Sequence, residues 1–104
     1  MANGTAPVLE ALTEINAVSL ARTELDARSL MLVRLAALVA VDAPTSSYLM
    51  HIGPSMDAGV TTRDAEDVLV AAAPIVGAPR AASAAAKISE ALDVAIAVAI
   101  DESE

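Results

Sequence analysis

A single histidine, His51, occurs among the 104 residues, four positions after Ser47 and three after Tyr48. Residues three and four apart are neighbours on a helix, so these three side chains can share one face. They make a small polar cluster on an otherwise apolar scaffold, suited to orienting a carbonyl or hydroxyl of a small ligand. The histidine is the residue type that gives or takes a proton near neutral pH. The same histidine can instead be hydrogen-bonded to a backbone carbonyl near the bend expected at Gly53-Pro54, or simply face water. A Ser-His nucleophile pair lacks a third orienting acid and an evident oxyanion hole. Arg34 is the other polar residue that stands out, alone in the apolar run from Leu30 to Val41. Its guanidinium can fork onto a substrate carboxylate. It can equally pair with an acid of a neighbouring helix or subunit, or lay its aliphatic stem along apolar surface with its head in water. The candidate site is thus His51 for catalysis, with Ser47, Tyr48 and Arg34 for substrate binding.

Composition removes whole classes of chemistry. With no cysteine there is no disulfide, thiol redox pair, zinc-thiolate site or cysteine nucleophile. No residue set has metal-ligand spacing, and no cofactor is expected. Six basic residues, scattered singly against fourteen acidic ones, give a net charge of −8, which argues against nucleic acid as a partner. No basic residue precedes Arg22, so neither a secretory signal nor a transit peptide is expected. The longest wholly apolar stretch, Val68 to Pro79, falls far short of the ~20 residues of a membrane span. The expectation is a soluble cytoplasmic protein.

The elements that must position His51 are helices. Hydrophobic residues make up 56% of the chain, with 25 alanines but one aromatic, Tyr48, a composition that favours closely approaching helices over sheets of bulky strands. Apolar spacing predicts a first helix over 7–21, opened by Pro7, after a loose terminus at 1–6. Asp26 caps a second helix, so apolar on all sides that it should lie at the centre of the fold. Asp42-Ala43-Pro44 stops it and starts a third helix over 44–58, bent at Gly53-Pro54 and closed by Gly59. Thr61 and Asp64 make an acidic capping box for a fourth helix over 62–75, and Asp64, Glu66 and Asp67 read as decoration of its N-terminus. Gly77-Ala78-Pro79 breaks the chain before a fifth helix over 79–100. There Val94, Ile96, Val98 and Ile100 alternate with alanine in a strand-like period, but high helix propensity upstream and no turn signal keep the segment helical. Residues 101–104 are expected to fray. The four methionines, at 1, 31, 50 and 56, read as core fillers.

The order of these signals resembles the carboxymuconolactone decarboxylase and alkyl hydroperoxidase D-like family. The resemblance is carried by Leu25-Asp26-Ala27-Arg28, Leu35-Ala36-Ala37-Leu38, His51, Gly59-Val60-Thr61 and Val76-Gly77-Ala78-Pro79, and covers about residues 25–92. It implies an all-α domain spanning the chain, assembled as a trimer or hexamer, with the active site near the subunit boundary. The departures are equally specific. With His51 in register, the two cysteines of the family's Cys-x-x-Cys-x-x-x-His fall on Pro44 and Ser47, so thiol peroxidase chemistry is not expected. The decarboxylase branch's glutamate, one turn before the histidine, is again Ser47. The family's Arg-Glu pair early in helix two is replaced by apolar residues between Leu30 and Leu32. Two functions stay open: a small-molecule decarboxylase or isomerase using His51 for proton transfer, or a non-catalytic oligomeric protein binding a ligand or partner on the same fold. Helices two and five are too apolar for a chain of this size to cover alone, so the expected partners are further copies of itself, with a small-molecule ligand.

Overall fold

Five α-helices and no strand make up the described residues, 2–103 of the computed structural model, with side chains described from Thr5 onward. They are α1 (Ala2–Arg22), α2 (Ala27–Ala40), α3 (Thr45–Asp57), α4 (Thr62–Val76) and α5 (Ala78–Ser103). Local chemistry sets most of the boundaries. Asp26 accepts from the Ser29 amide at the head of α2, and Thr61 and Asp64 exchange side-chain and backbone bonds at the head of α4. The C-termini of α2 and α3 close alike. After α3, the amides of Gly59 and Val60 donate to the carbonyls of Met56 and Ser55; after α2, those of Asp42 and Ala43 donate to Val39 and Leu38. This closure needs a left-handed residue, supplied by Gly59 at φ 83° and by Asp42 at φ 52°. A non-glycine at such an angle is held by its side chain: the Asp42 carboxylate accepts from Ser83 Oγ at 2.8 Å and Lys87 Nζ at 3.0 Å.

Two expectations change. α1 begins at Ala2, with Pro7 inside it, because proline's fixed φ suits a helix and its missing N–H removes a single bond. α3 is the single helix expected, with Gly53-Pro54 inside it. α5 continues past residue 100 to Ser103, and the alternating Val94 to Ile100 segment is helical throughout. Residue 104, part of the expected frayed end, lies outside the described residues, as does Met1.

Packing is shared by α2 and α5. α2 lies against α3, α4 and α5, as expected of a central helix, and α5 lies against α2, α3 and α4, whereas α3 and α4 make no contact with each other. Small side chains allow this at α5: Ala84 and Ala91 are 1% and 0% exposed, so neighbouring helices approach it closely. They form the core with Val39, Ala43 and Tyr48, flanked by Leu35, Leu38, Ile52, Leu69 and Ile88. α2 buries Met31 and Val39 but leaves Val33 55% exposed. Of the other methionines, Met50 and Met56 are exposed, not core.

α1 packs on no other helix. It is tethered to α2 through Arg34, and its Val8, Leu9, Leu12, Ile15, Val18 and Leu20 are each at least half exposed. The projection accounts for a Cα radius of gyration of 14.8 Å, against about 13 Å for a close-packed chain of this length. No helix among the described residues is long and apolar enough to cross a membrane.

Candidate functional site

Because α3 and α4 splay apart while both rest on α5, a cavity of about 820 Å³ opens between them. α3 contributes Tyr48, His51, Ile52, Ser55 and Met56 to one wall. α4 contributes Ala65, Glu66 and Leu69 to the other, with Thr61 and Thr62 at its start. The floor is one face of α5: Ala85, Ile88, Ser89, Leu92, Ala95, Ile96 and Ala99. A space of this size, mostly aliphatic with a few polar groups, has the character of a small-molecule site.

His51 lies on the α3 wall, half-buried, with Nδ1 2.7 Å from the carbonyl oxygen of Ser47. A carbonyl only accepts, so Nδ1 carries the proton. In the neutral ring Nε2 is then the basic nitrogen, and the hydrogen bond fixes the plane of the imidazole. His51 thus both bonds a backbone carbonyl and lines the cavity. The carbonyl belongs to Ser47, one turn back, and not to the Gly53-Pro54 segment.

The other three candidates divide. Ser47 acts on His51 through its backbone; its half-buried side chain is not among those lining the cavity. Tyr48 lines the cavity but is only 3% exposed, and its hydroxyl is buried without a hydrogen-bond partner. Burial, with the charge of Asp42 adding to it, pushes the phenol up from its usual value, so it stays neutral. The hydroxyl as placed is closed to a substrate oxygen. Arg34 lies outside the cavity, bonded through its guanidinium to Asn16 Oδ1 at 2.6 Å and Ser19 Oγ at 3.1 Å, both on α1.

Glu66 was legible only as a helix-terminus charge, yet it is the single charged residue in the cavity wall. The acid that serves the head of α4 is Asp64: it accepts from the Thr61 amide at 2.9 Å and pairs with Arg28 at 2.6 Å. The Thr61 backbone bond leads in holding its carboxyl below the usual range. The α5 floor did carry a signal in the sequence, since positions 85, 88, 92, 95 and 99 recur every three or four residues. That stripe reads as a packing face until the tertiary structure shows what lies opposite it.

A comparison with protein-family models matches residues 6–91 to the Carboxymuconolactone decarboxylase family. The match starts within α1, upstream of the motifs that begin at Leu25. No curated protein and no solved structure matches the chain.

Proposed function

The chain belongs to the carboxymuconolactone decarboxylase family, and on that premise we propose that it moves a proton on a small molecule held against His51. The reaction is of the decarboxylase or isomerase sort, without thiol peroxidase activity. The observation that carries this reading is the His51 Nδ1 bond to the Ser47 carbonyl at 2.7 Å in a ring that lines the cavity. It leaves Nε2 to act as base and, once protonated, as acid. Isomerisation suits the lining better than decarboxylation, because no Lys or Arg lines the cavity to hold a carboxylate. Leu35, Tyr48 and Ile88 belong to its largely apolar lining.

The working form in this proposal is a homo-oligomer, trimer or hexamer, in the cytoplasm. It is supported by the uncovered apolar side chains of α1 and by Val94, Ile96, Val98 and Ile100 at the end of α5, all at least 40% exposed. An exposed apolar surface of this extent calls for a partner. Leu92 and Ile96 line the cavity, so an aspartate at either would act on ligand binding as well as on assembly.

The alternative is a non-catalytic ligand- or partner-binding protein on the same scaffold. It is favoured by Ser47 at the position of the family's glutamate and by the aliphatic character of the cavity.

His51→Gln separates the two. A general acid or base contributes about 10²–10⁴-fold in rate, so the variant should lose at least a hundredfold of whatever turnover a screen of small carbonyl compounds uncovers. Circular dichroism and native mass should stay as in the parent. Full activity in the variant would remove proton transfer at His51.

A further inference from the structure

The charges around the cavity select a class of ligand. None of the residues that line it is Lys or Arg, and Glu66 is its single charged side chain. The basic residues are held elsewhere: Arg28 on Asp64, Arg34 on Asn16 and Ser19, Arg80 on the carbonyl of Ala40, and Lys87 on Asp42. Arg22 and Arg63 are the remaining two of the six, and neither is in the lining. The other polar lining groups are His51 and the hydroxyls of Ser55, Thr61, Thr62 and Ser89, none of them a permanent positive charge. An anion entering here would meet Glu66, in a chain whose net charge is already −8.

The apolar part of the space is long. Its α5 floor runs from Ala85 to Ala99, about 21 Å along a helix that rises 1.5 Å per residue. The floor is made of Ala, Ile and Leu apart from Ser89, so it offers an extended aliphatic chain a continuous bed.

We propose that this cavity binds an elongated aliphatic molecule with a positively charged head, of the long-chain amine class, its chain along α5 and its ammonium at Glu66. The proposal rests on the cavity being the ligand site and is independent of whether His51 turns the ligand over.

The test uses three probes of one chain length at pH 7, below their micelle-forming or solubility limits: dodecylamine, dodecanol and dodecanoate. Binding to the intact protein is followed by isothermal titration calorimetry. Dodecylamine should bind with one site per chain, up to about fivefold more tightly than dodecanol, the gain expected of a solvent-accessible ion pair, and more tightly still than dodecanoate. The amine's advantage should shrink at high salt. Glu66→Gln should bring the amine down to the alcohol while leaving the alcohol unchanged, and Glu66→Lys should reverse the order of amine and carboxylate. The control Glu102→Gln, on the end of α5 outside the cavity, should change nothing. Equal or tighter binding of dodecanoate, an amine preference that survives Glu66→Gln, or no saturable binding of any probe because a second copy fills the space would each overturn the proposal. Turnover in His51→Gln and the Glu66-dependent binding order are separate readouts, so a failure of proton transfer and a failure of this ligand class register in different measurements.

Discussion

Replacing Tyr48 by phenylalanine should stabilise the protein, whereas the same change at most buried tyrosines destabilises. A buried, hydrogen-bonded hydroxyl contributes about 0.5–1.5 kcal/mol net, so its removal normally costs that amount. Tyr48 is 3% exposed and its hydroxyl has no partner. An unsatisfied buried donor carries a desolvation penalty of about 1–3 kcal/mol, which deletion of the oxygen abolishes. The ring belongs to the buried core with Val39, Ala43, Ala84 and Ala91, and phenylalanine keeps its place there. Allowing for the small void left by one oxygen, the gain should be about 1 kcal/mol, or roughly 4–8 °C in Tm for a domain of this size. Urea and thermal melts of parent and variant at one protein concentration measure it; equal concentrations matter because oligomers melt by mass action. A loss of about 1 kcal/mol would refute the reasoning, because it would mean that the hydroxyl has a partner, such as a bound water or a ligand group. Tyr48 would then rejoin His51 as a polar group of the site.

Three more outcomes follow from the same geometry. Native mass spectrometry at micromolar concentration should show a trimer or hexamer, and Leu12→Asp with Ile15→Asp should reduce the assembly while α2 to α5 stay folded, since α1 packs on none of them; only the 10.5 kDa species from the parent chain would refute this. Asp26, Asp42 and Asp64 are each held below the usual carboxylate value, chiefly by Ser29, Lys87 and the Thr61 backbone respectively. A folded pKa below the unfolded one adds stability that is complete above about pH 4 and lost as pH falls through the folded values. Tm should therefore be level from pH 7 to 5 and drop below about 4, less so in Asp42→Asn, and a Tm that rises on acidification would contradict it. Gly53 and Gly59 both have open space where a Cβ would stand, but only Gly59 has a positive φ, of 83°. Gly59→Ala should cost about 1–2 kcal/mol and Gly53→Ala gain about 0.5–1 kcal/mol, and urea midpoints moving the same way in both would exclude backbone conformation as the cause.

Helix type, order and most ends were legible in the chain because each is written locally. The Asp26 cap, the Thr61-Asp64 box, the Gly59 closure and the Gly77-Ala78-Pro79 break act within a few residues, and the absence of aromatics beyond Tyr48 already pointed to close helix packing. The family too could be read from motif order. The sequence misplaced the start of α1 because proline disfavours a helix interior without forbidding it, and local propensity cannot weigh one lost bond against a longer helix. What lies on either side of a helix is decided at a distance. The Ala85 to Ala99 stripe packs or binds according to whether α3 and α4 close over it. Glu66 is a helix-end charge or a cavity wall according to the splay of α4, and Arg34 faces a substrate or α1 according to where α1 stands. Those alternatives differ in tertiary geometry alone, and the cavity exists because alanines draw α3 and α4 onto α5 and not onto each other.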